Sequence, residues 1–186
     1  MRGYYGIGIV GGKTEVNIGT LWRSAHVFGA AFIFTVGRRY RQQSSDTKKT
    51  WRSVPLYHYD TISELKQHLP MECRLIGVEM TDSALELHRA CHIERACYLL
   101  GAEDNGLSAE ALAACSLIVK IPGNDSLNVA TAGSIVMYDR WVSQVERGER
   151  IRLPRWPAKV YRHGDMKSLS LEGNGNIELC PTPYKD

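Results

Sequence analysis

The sequence has no apolar run long enough to cross a bilayer, and its first residues, Met1 to Tyr5, lack the apolar segment of a secretory signal. A cytosolic location is therefore expected. The net charge of the 186 residues is only +3, so the composition as a whole does not require an anionic partner. Hydrophobic residues make up 44% and charged residues 23%, which is typical of a folded globular protein of about one domain.

Cysteine is scarce and its spacing matches no disulfide framework. The five cysteines are odd in number, which favours a reduced, intracellular protein. His88, Cys91, His92 and Cys97 lie close together in the sequence and raise the question of a metal site. No pair of cysteines has the Cys-x-x-Cys form of structural zinc sites. Ordinary core and surface roles are favoured for these four residues, and no bound metal is predicted.

The sequence also lacks parts of two nucleotide-binding motifs. Gly6 to Gly11 matches the G-x-G-x-x-G fingerprint, but these glycines fall inside a predicted strand instead of after it. The acidic ribose anchor of that fingerprint is missing, because no Asp or Glu lies between Glu15 and Asp46. A nicotinamide-dependent oxidoreductase therefore remains only an alternative. Gly12-Lys13-Thr14 resembles the end of a P-loop, but the leading glycine of that motif would fall at Ile7, which excludes it.

Short apolar segments alternate with helical patterns along the chain. This alternation predicts an α/β fold, with a mostly parallel sheet and helices on both of its faces. A basic, polar loop is expected at 37–54, and a basic, partly irregular C-terminal extension at 149–186 would follow a main domain at 1–148. The predicted strands are 4–10, 30–36, 55–59, 74–80, 95–100 and 117–121, and the predicted helices are 17–29, 60–69, 83–89, 108–115 and 128–148.

Three turns between a strand and a helix carry polar residues that a hydrophobic core does not require. The first lies at the start of the helix that Asn17 is expected to cap. The second follows the strand that ends near Leu100, and the third follows the strand that ends near Ile121. The carboxyl ends of parallel strands meet at one edge of a sheet, where ligands usually bind. Each turn also has a local explanation, with Asn17 and Asn128 as helix caps and Glu103 as a solvated loop acid.

Taken in order, the three turns resemble the motifs of a known family. They read Asn17-x-Gly19-x-x-x-Arg23, then Leu100-Gly101-x-Glu103-x-x-Gly106-Leu107, then Ile121-Pro122 followed by Ser126-Leu127-Asn128-Val129. This series resembles the three motifs of the SpoU-type (TrmH-like) RNA ribose 2′-O-methyltransferases of the SPOUT superfamily, over about residues 1–145. Ordered in this way, the motifs are far more specific than any one of them alone.

The resemblance implies a deep trefoil knot in the C-terminal half of the chain, an exception to the rule that chains avoid threading. It implies a homodimer with its active site at or near the interface, and S-adenosyl-L-methionine as the cofactor. Backbone groups of glycine-containing loops would hold that cofactor. The cofactor-binding residues that the resemblance implies are Val78, Glu79, Leu100, Gly101, Gly106, Ile121, Pro122, Ser126 and Leu127.

The implied reaction transfers a methyl group from a sulfonium to a ribose 2′-hydroxyl, and it requires no metal because the donor is already activated. In the family, the arginine that matches Arg23 is the proposed base for the proton of the 2′-hydroxyl. A guanidinium has no acceptor, however, and is better suited to binding an RNA phosphate and stabilising an alkoxide. Both roles are kept open. The remaining residues would orient Arg23 and the ribose, and they are Asn17, Glu103, Ser126 and Asn128.

The third motif departs from the family pattern. Gly123-Asn124-Asp125 replaces the usual Met and a longer loop after Ile121-Pro122, and Ala130 stands where a serine is common. Contacts to the cofactor are therefore less firmly predicted in this loop than at Gly101.

Basic residues with interleaved aromatics occur in two segments, beside Tyr40 and Trp51 and beside Trp156 and Tyr161. This combination suits a phosphate backbone and unstacked bases, so RNA is the expected partner, with tRNA first and rRNA second. A solvated basic surface is the plain alternative, and an RNA-binding protein without turnover is the alternative function. The predicted RNA-binding residues are Arg38, Arg39, Arg41, Lys48, Lys49, Arg52, Arg150, Arg152 and Arg155.

Overall fold

The structure, a computed structural model, describes residues 4–12, 14–40, 53–102 and 104–146, the last of these by its backbone only. Glu103, the predicted boundary at 148/149 and the C-terminal extension lie outside the described residues. None of the described helices is long and apolar enough to cross a membrane. The elements are β1 Tyr4–Val10, α1 Glu15–Phe28, β2 Phe32–Val36, β3 Leu56–Tyr59, α2 Ile62–His68, β4 Arg74–Val78, β5 Leu85–Glu86, a 3₁₀ turn Leu87–Arg89, β6 Arg95–Leu100, α3 Ala109–Ala114, β7 Leu117–Lys120 and α4 Val129–Glu146.

Within the described residues, seven strands form one sheet in the order β3-β2-β1-β6-β4-β7-β5, and every pairing between them is parallel. The predicted α/β class is therefore confirmed. The register places Val10 beside Val36, Leu100 beside Val78, and Val78 beside Val119. The carboxyl ends of β1, β2, β4, β6 and β7 consequently reach the same edge of the sheet, which positions the loops that follow them. The trefoil knot stays a prediction.

Helices cover both faces of the sheet. Ile7 and Leu21 belong to one buried cluster, together with residues of α4, and Phe34 and Leu65 belong to a second cluster with residues of α3. Side chains alternate between faces along a strand, so each strand contributes to both layers. This arrangement explains the apolar, β-branched composition of the central strands.

The glycines that resemble a dinucleotide fingerprint have a packing role. A Cβ placed at Gly6 would lie 2.2 Å from the Phe32 ring, and one at Gly8 would lie 2.2 Å from the Phe34 carbonyl oxygen. Both glycines lie within β1 and leave room for the aromatic side chains of β2. The match to the fingerprint is therefore explained by close packing of neighbouring strands.

Two predicted helix starts are confirmed by their capping hydrogen bonds. Thr61 Oγ1 accepts from the Glu64 N–H at 3.1 Å, and a Glu64 carboxylate oxygen accepts from the Asp60 N–H at 2.6 Å. Ser108 Oγ accepts from the Ala111 N–H at 3.2 Å. Side-chain oxygens at these positions satisfy N–H groups that have no partner within the helix.

Two local predictions are wrong. α1 begins at Glu15 with Thr14 as its N-cap, so Asn17 lies in the first turn and does not cap the helix. The segment predicted as a helix at 83–89 contains β5 and the 3₁₀ turn instead. Leu85 and Glu86 pair with Val119 and Lys120 of β7, and this tertiary pairing overrides a weak helical preference.

Candidate active site

A cavity of about 340 Å³ opens at the carboxyl ends of β4, β6 and β7. Its walls come from the ends of these strands, from the loop after β7 and from the first turns of α4. The predicted cofactor-binding residues lie in this cavity with one exception, because Pro122 is not among its lining residues. Those that line it are Val78, Glu79, Leu100, Gly101, Gly106, Ile121, Ser126 and Leu127.

The wall formed after β6 is a tight backbone loop. The Gly106 N–H donates to the Ala102 carbonyl at 2.9 Å, and Gly106 has a φ of 60°, in the left-handed region. A Cβ at Gly101 would lie 2.3 Å from the Gly106 carbonyl carbon and 2.5 Å from the Leu107 nitrogen. Glycine at 101 therefore allows the two sides of the loop to touch, and the wall is largely backbone.

Glu79 fastens this loop to the end of β4. One carboxylate oxygen accepts from the Leu107 N–H at 2.7 Å, and the other accepts from the Met80 N–H at 3.0 Å. Glu79, for which cofactor binding is predicted, lines the cavity, but both of its oxygens accept hydrogen bonds from backbone N–H groups. Its contribution to the geometry is therefore to hold the wall of the cavity in place.

Asn128 connects the cavity to α1. Its Nδ2 donates to Asn17 Oδ1 at 3.0 Å, across 111 residues of sequence. Its Oδ1 accepts from the N–H groups of Ala130 and Thr131 at 3.0 and 3.2 Å, which caps α4. Two residues predicted to be catalytic are thus brought together, and Asn128 also lines the cavity.

The loop after β7 is held by an aspartate that the sequence analysis did not single out. Asp125 Oδ1 accepts from the Ser126 N–H at 2.7 Å, in the manner of a short polar side chain that stabilises its own turn. Asp125 and Ser126 both line the cavity, while Leu127 is 46% exposed. The signal that could have identified Asp125 is its position between a glycine-containing turn and a helix start.

Arg23 lies elsewhere on α1. It is exposed, is not among the residues that line the cavity, and is followed by Ser24, whose hydroxyl contacts Ser134 Oγ of α4 at 2.8 Å. Arg23 is the sixth residue after Asn17, which places its Cα about 9 Å further along the helix axis. The structure therefore brings Asn17, Ser126 and Asn128 to one place but does not bring Arg23 to the cavity of the same chain.

Lys120 and Met80 also line the cavity and were missed by sequence reasoning. Lys120 is the last residue of β7, and its Nζ donates to the Thr81 carbonyl at 3.3 Å. A charged residue at the carboxyl end of an apolar strand is the signal that could have identified it.

Two of the predicted RNA-binding residues, Arg38 and Arg39, are exposed and line a small pocket of about 30 Å³ beside Thr35. Thr35 Oγ1 lies 3.0 Å from His58 Nδ1, and His58 Nε2 lies 3.0 Å from a carboxylate oxygen of Asp60. This hydrogen-bonded series braces the ends of β2 and β3. The other predicted RNA-binding residues lie outside the described residues, and they are Arg41, Lys48, Lys49, Arg52, Arg150, Arg152 and Arg155.

Fold and cavity together define an α/β protein with a small-molecule-sized cleft at the carboxyl ends of its parallel strands. The second and third motif loops bound this cleft, and the first motif is joined to it by the hydrogen bond between Asn17 and Asn128. The chain belongs to the SpoU rRNA Methylase family, whose sequence model matches residues 7–138.

Known proteins resemble the chain over most of its length. The tRNA (guanosine(18)-2′-O)-methyltransferase of Escherichia coli is 25% identical over 142 residues, which cover 73% of this chain and 62% of that relative. The chain therefore spans less than two thirds of that relative's length. The SpoU methyltransferase AviRb from Streptomyces viridochromogenes, in complex with AdoMet, is 20% identical with a TM-score of 0.70, covering 81% of this chain and 60% of AviRb. A solved structure that concerns the 2-OH methylation of C/U34 on tRNA is 24% identical with a TM-score of 0.66, covering 77% of this chain and 98% of its own.

Proposed function

We propose that this protein is an S-adenosyl-L-methionine-dependent methyltransferase that modifies a ribose 2′-hydroxyl of structured RNA, with tRNA as the first candidate and rRNA as the second. The observation that carries the proposal is the bond between Asn17 and Asn128 at the cavity. It joins the first and third motifs beside a ligand-sized space whose opposite wall is the second motif. The names of the E. coli relative and of the AdoMet-bound AviRb structure support the same reaction and cofactor.

The lining of the cavity fits the proposed cofactor. Val78, Leu100 and Val129 offer apolar surface for an adenine ring, and the loop at Gly101 offers backbone close to the space. Ligand sites of this kind combine mostly apolar walls with a few placed polar groups. When bound there, S-adenosyl-L-methionine supplies an activated methyl group.

The chain's own residues then have to place the ribose hydroxyl and help it to lose its proton. Asn17 and Asn128 are held in one geometry by their mutual hydrogen bond, so we assign them the orientation of the ribose. Ser126 lies beside them on the cavity wall. We assign Arg23 to the RNA phosphate and the developing alkoxide, and Glu103 keeps its proposed orienting role.

We further propose a cytoplasmic homodimer in which Arg23 serves the cavity of the partner subunit. Exposed apolar side chains on α4 support this proposal, because Tyr138 is 55% exposed, Val145 is 48% exposed, and Tyr138 stacks on Trp141. Residues at these spacings share one helix face. An Arg23 that is exposed and away from its own cavity fits a site completed across an interface.

Tritium transfer tests the reaction. The purified chain is incubated with [methyl-³H]S-adenosyl-L-methionine and tRNA or rRNA that lacks modifications, and the RNA is digested and analysed for 2′-O-methylnucleosides by mass spectrometry. Transfer to the ribose is expected, and it should stop when excess S-adenosylhomocysteine is added. If RNA and cofactor both bind but no methyl group is transferred, even in a single turnover, the silent RNA-binding alternative replaces the proposal.

Subunit mixing tests the shared site. Arg23→Ala and Gly101→Ala chains are unfolded, mixed and refolded together, and activity is assayed at an S-adenosyl-L-methionine concentration at which each variant alone shows little activity. About half of the randomly formed dimers contain one chain of each variant, and each of these mixed dimers has one intact site out of two. Activity should therefore recover up to about a quarter of the wild-type value. No recovery, with dimers present by sedimentation, would assign Arg23 to the cavity of its own chain.

A further inference from the structure

Lys120 is the one basic side chain among the described residues that line the cavity. It is half-buried at the end of β7, where its backbone pairs with Glu86 of β5. Its ammonium makes a single hydrogen bond to a described residue, at 3.3 Å to the Thr81 carbonyl. An ammonium has three donors, so this long bond leaves hydrogen-bonding capacity beside the cavity.

Glu79 and Asp125, which line the cavity with Lys120, and Glu86, which pairs with it, are each engaged with other groups; Asp125 Oδ1 accepts from the Ser126 N–H. Both oxygens of Glu79 accept from backbone N–H groups, and Glu86 contacts Arg89 at 3.2 Å and His88 at 3.5 Å. No ion pair joins Lys120 to a carboxylate in the described parts of the chain. A ligand anion in the cavity would therefore give this ammonium the counter-ion that the described residues do not supply.

The proposed cofactor offers one anionic group. S-adenosyl-L-methionine carries a positive sulfonium, a positive ammonium and a negative carboxylate, and the lysine ammonium would repel the first two. The charge of Lys120 therefore fits only the carboxylate of the amino-acid end. A charge-assisted hydrogen bond is stronger than one between neutral groups.

We propose that Lys120 binds the carboxylate of the methyl donor and so makes the site discriminate against donors that lack it. The inference rests on the proposed function, since it assigns a contact within the same cofactor site. It orients the donor as well, because the amino-acid end must then lie toward β7 and Thr81.

The test compares two ligands that differ by the carboxylate alone, S-adenosyl-L-methionine and its decarboxylated analogue. Their dissociation constants are measured calorimetrically with the full chain and with Lys120→Met, which keeps the length of the side chain and removes its charge. Wild type should prefer S-adenosyl-L-methionine by about tenfold or more, the size expected for one charged hydrogen bond. Lys120→Met should lose that preference while binding the analogue within about twofold of wild type.

Lys120→Arg keeps the charge and should retain most of the preference for S-adenosyl-L-methionine over the analogue. Lys66→Met removes one charge from the exposed face of α2 and should retain all of that preference. Equal weakening of both ligands in Lys120→Met would make Lys120 a brace for the Thr81 loop and overturn the inference. Equal affinity of wild type for the two ligands would overturn it without any variant. If wild type binds neither ligand, the proposed function itself fails together with the inference.

Discussion

Asn128 shows how one side chain serves both the fold and the site. Its oxygen caps α4, while its amide nitrogen donates to Asn17, so the start of a helix and a contact between motifs depend on one residue. Polar groups placed in this way are held rigidly, because each is fixed by its own hydrogen bonds. Arg23 has no comparable anchor among the hydrogen bonds described above, which fits a side chain that acts on a bound partner.

Replacing Arg23 tests its assignment. Arg23→Ala should lower methyl transfer by about 100-fold or more while leaving the affinity for S-adenosylhomocysteine unchanged, because the cavity is built from other elements. Arg23→Lys should not restore full activity, since a single ammonium cannot reproduce the two-pronged grip of a guanidinium. A loss of cofactor affinity in Arg23→Ala would instead make Arg23 a structural residue.

Burial makes three of the thiols weaker acids than an exposed cysteine. It raises the pKa of Cys73 and of Cys115 from the ordinary value of 9 to about 11, and it raises the pKa of Cys97 well above 9. These thiols bind their protons more tightly in the folded chain. Their stabilising contribution is therefore complete below pH 9 and is lost as the pH rises toward 11.

Two measurements follow from this. The urea concentration at the unfolding midpoint should decrease as the pH is raised from 9 to 11.

At pH 8, iodoacetamide should modify the exposed Cys91 of the native protein while sparing Cys73, Cys97 and Cys115. Peptide mass spectrometry assigns each site, and all cysteines should react once urea unfolds the chain. Equal labelling of Cys91 and Cys97 in the native state would contradict the described packing.

At the scale of elements, the loop between β6 and α3 acts as a wall because glycine removes side-chain volume. Gly101→Ala would place a Cβ within 2.5 Å of two backbone atoms, and backbone cannot move aside as a flexible side chain can. Overpacking of this kind costs about 1–3 kcal/mol, so binding of S-adenosyl-L-methionine should weaken by about tenfold or more.

Gly123→Ala is the matched control, because the nearest atom to its Cβ would be the Asp125 carbonyl oxygen at 3.7 Å. Calorimetric titration of the two variants should separate them clearly. Similar affinities would mean that the loop at Gly101 rearranges without affecting the site.

α4 is pinned to β6 by a buried polar cluster at the other end of the sheet. The Arg140 guanidinium, 1% exposed, donates to the carbonyls of Ile93 and Glu94 at 2.7 and 2.8 Å and to the Tyr98 hydroxyl at 3.1 Å. His92 lies 2.6 Å from the same hydroxyl and 2.7 Å from an Asp139 carboxylate oxygen. The helix that Asn128 caps is thus held at its start and again at Asp139 and Arg140.

Arg140→Met should lower the free energy of unfolding by about 3 kcal/mol, because it leaves buried carbonyls without donors. Arg89→Met, which removes an exposed ion pair with Glu86, should cost less than about 1 kcal/mol. Urea denaturation followed by tryptophan fluorescence measures both variants. A loss of less than about 1 kcal/mol in Arg140→Met would show that the cluster adds little to stability.

For the whole molecule, the sequence predicts an electrostatic interaction with RNA. Its affinity should fall steeply with salt, and Arg38→Gln combined with Arg39→Gln should reduce the slope of log K against log salt by about 1 to 2. The double variant Arg74→Gln with Lys66→Gln is the control, because it removes the same number of positive charges elsewhere on the protein. Arg74 begins β4 at the opposite edge of the sheet, and Lys66 lies on α2. Filter binding across salt concentrations measures the slopes, and a flat response in wild type would argue against phosphate contacts.

Local patterns were sufficient for the α/β class, the capped helix α2 and the loops that form the cavity. Alternation of apolar segments and helix-capping residues are encoded within about ten residues of sequence, so they are visible without a structure. β5 was missed because its two residues become a strand only by pairing with β7. The cap of α1 was misplaced because Asn17 is engaged by Asn128 from far along the chain.

The sequence alone determined the strands and helices other than β5, and the turns that carry the polar motif residues, because these depend on local composition and spacing. Only the tertiary structure decided that Glu79 braces the wall, that Lys120 faces the cavity and that Arg23 lies away from its own cavity. Those placements depend on the order of strands in the sheet and on contacts between residues distant in sequence. Free energies of such contacts are set by burial and geometry, which no local pattern contains.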